Sequence, residues 1–161
     1  MSPTVRAFLK ASLAWLALGV TLGVAIAAHP ARTLYRLAHV HMLLLGFVAM
    51  MIFGVAYHVI PRFAGFPLHR PAAARVHWWL ANVGLAAMAS GFALRVHAPD
   101  AGTILLATGG ALSALGAYVF VYLIWRTIDG PADLRAGAER ARVAVEEGGR
   151  TGRRQLTVIA R

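Results

Sequence analysis

The sequence contains no cysteine and only six acidic residues. The first absence excludes disulfides, Cys-ligated iron–sulfur clusters, Cys-type zinc sites and heme attached covalently through Cys. Any bound cofactor must hang on His, Met, Tyr or a carboxylate. The second leaves sixteen basic residues largely unbalanced, for a net charge of +10. Charge of either sign is scarce, at 14% of 161 residues against 59% hydrophobic ones. That balance, with a positive mean hydropathy, describes a membrane protein with one compact domain.

Four stretches, about 8–28, 37–60, 77–97 and 103–125, are long enough to cross a bilayer, since about 20 apolar residues span its hydrocarbon core. The expected fold is all-α: an integral membrane four-helix bundle over residues 1–128, followed by a short basic tail over 129–161. The first run ends in Ala27-Ala28-His29-Pro30 behind only Arg6 and Lys10, and we expect it to remain as an uncleaved span. With four spans, both termini and the central loop share one side. That side carries thirteen of the sixteen basic residues, and the other holds only Arg32, Arg36 and Arg95. The positive-inside rule then places both termini in the cytoplasm, in a multi-pass protein of a bacterial-type inner membrane. The positives flank spans and no nucleic-acid motif accompanies them, so no nucleic-acid partner is expected and the tail faces anionic headgroups of the lipid bilayer.

Proline and glycine mark the boundaries. The second span is predicted to stop at Pro61, ahead of a loop with Gly65, Pro67 and Pro71, and the third to open at His77-Trp78-Trp79, indoles suited to a headgroup level. Small residues such as Gly19, Gly23, Gly84, Gly91, Gly109 and Gly116 read as helix-packing stripes. In the tail, Pro131 suits a first helical position, and a surface helix from Ala132 to Glu147 is predicted to break at Gly148-Gly149.

Histidines carry the candidate chemistry, because a polar ring in hydrocarbon needs a partner. His29, His39, His41 and His97 fall near one membrane boundary, and His58, His69 and His77 near the other. On a regular helix His39 shares a stripe with Leu43, Gly46, Met50, Phe53 and Tyr57, while His41 points about 200° away. His39 is the stronger ligand candidate, because Gly46 on its stripe offers space for a flat macrocycle. Iron is one candidate metal for His39 and His41, and copper is the other. His58 and His77 flank the central loop and offer a possible second, inner site.

The stretch Tyr35-Arg36-Leu37-Ala38-His39-Val40-His41, running on to Phe53-Gly54-Val55-Ala56-Tyr57-His58-Val59-Ile60-Pro61-Arg62, resembles the second transmembrane helix of subunit I of heme-copper oxidases. The likeness is strongest to C-type cytochrome c oxidases and nitric oxide reductases. In that family a basic residue precedes a His that ligates the low-spin heme, and an aromatic pair closes the helix. The resemblance puts His39 at the ligand position and Tyr57-His58 at the pair. It implies heme b. The family's other low-spin ligand lies late in a longer chain, so here the candidates are His97 and His29, at the same outer level, or His39 or His41 of a second copy. The family is much longer and holds further His for copper and for a high-spin heme, which this chain lacks. Oxygen or nitric oxide reduction by this chain alone is therefore not expected. At most it is an oxidoreductase component.

The expectation is thus a b-type heme-binding membrane protein serving respiratory electron transfer, heme handling or gas sensing, as a homo-oligomer or within a larger respiratory complex. The alternatives are a copper-binding assembly or nitric-oxide-response protein using His29, His39, His41 and His97, and a non-heme accessory subunit.

Overall fold

The computed structural model describes the backbone of residues 1–159, and side chains through residue 148 except those of Asp133 and Ala138. Every element is helical, with no strand among the described residues. Helix α1, Pro3–Ala28, opens on Ser2, whose Oγ accepts a hydrogen bond from the Val5 N–H at 3.3 Å. Such a cap satisfies one of the orphan donors of a first turn, and Pro3 sits where a missing N–H costs nothing. A 3₁₀ turn, Pro30–Tyr35, leads into α2, Arg36–His41. A π-helical stretch, Met42–Ala49, and α3, Met50–Ala64, continue without a break. Helices α4, Pro71–Leu94, and α5, Pro99–Asp129, follow, and α6, Ala132–Ile159, ends the described chain.

Three of the expected boundaries move. Helix α3 runs through Pro61 to Ala64. Pro61 forfeits one backbone bond near the helix end, and the stop falls at Gly65, whose φ of 73° most side chains resist. Helix α4 starts at Pro71, preset for a first turn, so His77 and Trp78 lie inside the helix and not at its opening. Helix α6 passes through Gly148 and Gly149; each glycine weakens a helix by about 1 kcal/mol relative to Ala without forbidding it.

Three helical segments are long and apolar enough to cross a membrane: Pro3–Ala28, Pro30–Ala64 and Pro99–Gly137. Of the four expected spans, α4 is not among them. Arg75, His77 and Asn82 interrupt its apolar run, and the neighbouring helices shelter it, with eight of its residues buried.

The tightest packing joins α4 to α5. His77 lies against Gly116, Gly84 against Gly109, Gly91 against Leu106 and Arg95 against Gly102, so the two helices run antiparallel and in contact from 77–95 on one to 102–116 on the other. A Cβ on Gly91 would stand 2.5 Å from the Leu106 backbone nitrogen, and one on Gly109 would collide with that of Met88. Backbone cannot yield as a side chain can, so small residues here set the helix spacing. Helix α1 packs on the π-helical stretch and α3, and α3 reaches α5. Phe8, Met50, Leu85, Leu123 and His77 are fully buried between these elements.

Replacing Gly109 with Ala is expected to destabilise the fold by about 1–3 kcal/mol through overpacking. Gly110→Ala, whose added methyl would meet only the Met88 Cε at 3.9 Å, is expected to be neutral. Thermal unfolding of the two detergent-solubilised variants checks this, and equal melting temperatures would contradict direct α4–α5 backbone contact.

Candidate functional site

The 29–35 end of the molecule holds four of the seven histidines, and each has a different surrounding. His39, on α2, turns toward α1. Its Nδ1 lies 2.8 Å from the Gly19 carbonyl oxygen. A carbonyl only accepts, so Nδ1 carries the proton and Nε2 is left with a lone pair. The ring rests on Gly23, where a Cβ would come 2.7 Å from its Cε1. His41 leaves α2 in another direction, with Nδ1 on the Leu37 carbonyl at 2.8 Å and its ring 4.7 Å from that of Phe92 on α4. His97, just past α4, places Nε2 3.0 Å from the Tyr35 hydroxyl. His29 is exposed at the end of α1.

Gly46 is buried, but the space beside it is filled. A Cβ there would stand 2.6 Å from the Trp15 Cβ and 2.9 Å from the Leu85 Cδ2. Gly46 thus admits the indole of α1 in place of the open slot the sequence pattern suggests. The Trp15 Nε1–H donates to Asn82 Oδ1 at 3.1 Å, and Asn82 Nδ2 donates to the Trp78 carbonyl at 2.8 Å. A separate cavity of about 400 Å³ lies between α1, α2 and α4, with Leu22, Tyr35, Ala38, Met42 and Ala89 among its walls.

The second histidine environment lies in the core, where sequence reasoning had placed a boundary residue. His77 is 0% exposed. Its Nδ1 is 2.8 Å from the Tyr57 hydroxyl of α3. Phe8 of α1, Phe53 of α3 and Phe120 of α5 surround the ring at centroid distances of 5.0, 4.6 and 5.7 Å. The Nε2 atom is buried and has no hydrogen-bond partner. The signal in the sequence was the spacing of Phe53 and Tyr57, one turn apart on α3. Its partner helix was not readable.

At the 65–70 end, His58 faces Arg62, whose Nη1 lies 2.8 Å from Nδ1. His58 and His77 therefore have separate partners. His69 contacts the C-terminal part of α5, its backbone N–H donating to Thr127 Oγ1 at 3.0 Å and its Nε2 lying 3.4 Å from the Tyr122 hydroxyl. Among the described residues no three His, Asp or Glu side chains come together to hold a metal ion. His29, His39, His41 and His97 are thus not gathered into the outer copper site that the sequence left open.

No family model matches the chain. It is similar to the Cbb3-type cytochrome c oxidase subunit CcoN1 of Stutzerimonas stutzeri, with 28% identity over 172 aligned residues that cover 87% of this chain and 36% of that protein. The chain spans about a third of the length of this relative. The match establishes a distant relationship to a respiratory membrane protein and agrees with the resemblance carried by residues 35–62.

The Tyr57–His77 bond predicts a non-additive pair. Tyr57→Phe leaves a second imidazole nitrogen buried without a partner and is expected to cost about 1–3 kcal/mol. The double variant Tyr57→Phe/His77→Leu removes both polar groups and is expected to recover part of that loss. Melting temperatures of the two single variants and the double variant supply the cycle. Strictly additive losses would show that the two side chains do not interact.

Proposed function

We propose that this chain is a heme-binding membrane protein related to the catalytic subunit of cbb3-type oxidases, with His39 as an axial ligand of a b-type heme. The observation that carries the reading is the His39–Gly19 hydrogen bond taken together with the place of His39 in the oxidase-like stretch, since His41 makes the same kind of bond to the Leu37 carbonyl. Ligand histidines are commonly oriented by an Nδ1–H donated to a carbonyl, which fixes the tautomer and makes Nε2 the more basic nitrogen. His39 fits that requirement, and its position in the oxidase-like stretch supports the same assignment. A bound heme supplies one-electron redox chemistry and an iron open to ligand control. The chain's own contribution is to hold the imidazole by Gly19 and seat it on Gly23.

His41 packs on Phe92 and His97 on Tyr35, so a second axial ligand falls to another protein surface. We assign it to a second copy of this chain or to a larger respiratory complex. The physiological role is electron transfer, heme handling or gas sensing in a bacterial inner membrane. In this reading α4 is the fourth span, carried across the bilayer with its polar residues turned to its neighbours. Both termini are then cytoplasmic, on the side with thirteen of the sixteen basic residues.

An oxidised and dithionite-reduced absorption spectrum of the purified protein tests the assignment. The parent is expected to show b-type bands, His39→Ala to lose them while remaining folded in the membrane, and His41→Ala to keep most of them. Full heme retention in His39→Ala would overturn the ligand assignment. For the topology, reporters fused to either terminus are expected in the cytoplasm and a tag inserted after Pro99 outside. An exported carboxy-terminal reporter would contradict four spans.

A further inference from the structure

A cavity of about 720 Å³ opens at the 65–70 end, where the start of α1, the last turns of α3 and the first turns of α4 converge. Its walls are largely apolar, with Val5, Phe66, Leu68, Pro71 and Ala72 among them, and the buried Tyr57 also borders it. The remaining ionisable side chains of the lining are His58, Arg62 and Arg75, and no carboxylate borders the cavity. Neither lining arginine forms a salt bridge with a carboxylate among the described residues.

The geometry of Arg62 prepares it for an anion. Its Nη1 meets both Nδ1 and the carbonyl oxygen of His58, at 2.8 and 2.6 Å. A guanidinium has no acceptor, so the His58 Nδ1 accepts, and neutral His58 carries its proton on Nε2. One corner of the guanidinium is thus fixed by its own helix, and its other N–H groups remain to be used. His58 Nε2–H and Arg75 add donors from α3 and α4. Donors without a matching acid, beside apolar walls, suit a ligand with an anionic head and an apolar body. Phe63, next to Arg62 and 88% exposed, adds an apolar side chain for acyl contact.

We propose that this cavity binds the headgroup of an anionic phospholipid, with its phosphate on Arg62 and Arg75 and its acyl chains beside the apolar wall. The inference rests on α1 and the Pro30–Ala64 segment crossing a bilayer, and it holds whether or not His39 binds iron. A free phosphate offers the same oxygens. The lipid is the better match because the apolar lining and Phe63 would go unused by a small anion.

The test uses the full chain in nanodiscs of phosphatidylcholine doped with phosphatidylglycerol, with bound lipid read by native mass spectrometry. Selective retention of phosphatidylglycerol is expected. Arg62→Gln/Arg75→Gln is expected to weaken it roughly thirtyfold, from about 1 kcal/mol per basic residue near a membrane surface. Arg32→Gln, at the opposite end, is expected to leave retention unchanged. Ala72→Phe fills the cavity while keeping both arginines and is expected to lose the lipid too, which covers the case of a double variant that fails to fold. Equal retention of the two lipids by the parent, or undiminished selectivity in Ala72→Phe, would overturn the proposal. Displacement of phosphatidylglycerol by equimolar inorganic phosphate would assign the site to a free anion and also overturn it.

Discussion

Backbone contact between α4 and α5 sets the spacing of everything else. Gly91 and Gly109 let the two helices touch where any side chain would hold them apart. With one side of α4 committed to α5, its polar residues meet α1 and α3: Asn82 receives the Trp15 indole N–H and His77 meets the Tyr57 hydroxyl. Among α1, the Pro30–Ala64 segment, α4 and α5, only α4 falls short of a membrane-spanning apolar run, and it is thereby the most enclosed. Burying a polar group without a partner costs a few kcal/mol, so a helix that carries Asn82 and His77 can be enclosed in this way only when its neighbours supply partners. The glycine contact and the polar contacts are two halves of one solution.

The same constraint sorts the imidazoles by what each has left to offer. His39 spends Nδ1 on a carbonyl and keeps a basic nitrogen. His77 spends Nδ1 on a phenol, and its other nitrogen is enclosed by three phenyl rings with Gly116 at its back. A nitrogen sealed in that way is poorly placed to take a large planar ligand, whatever its chemistry. His58 accepts from Arg62 and becomes part of a basic pair that suits an anion better than a metal. The proposed ligand, the core strut and the proposed anion support are thus three different uses of one kind of side chain.

Much of the helical content was legible because apolar runs of membrane length leave little alternative to a helix, and proline and glycine punctuate them. The small-residue spacing on the third and fourth runs was legible as packing for the same reason. Where reading failed, local signals competed with a partner out of view. Trp78 and Trp79 suggested a membrane boundary, yet Pro71 starts α4 earlier and carries His77 inward. Pro61 looked like a stop, yet α3 ends only at Gly65, which takes a left-handed backbone. Gly46 lay on a buried stripe, as it should, but nothing in the spacing told that Trp15 of another helix fills the gap.

The seat of His39 shows why periodicity alone misplaces a ligand candidate. From Gly46, within the π-helical stretch, through α3 the expected stripe holds, since Gly46, Met50 and Tyr57 are all buried. Above it the buried residue is Ala38, and His39 is only partly covered. A π-helix bonds i to i+5 and turns less per residue than an α-helix, so eight such residues shift the phase between its two ends. His39 still meets α1, the same helix whose Trp15 fills the space beside Gly46. There Gly19 supplies the carbonyl and Gly23 the space, because any side chain at Gly23 would meet the imidazole. The small-residue pair on α1, which the sequence alone presents as ordinary helix packing, is therefore the part of the fold that orients the ring.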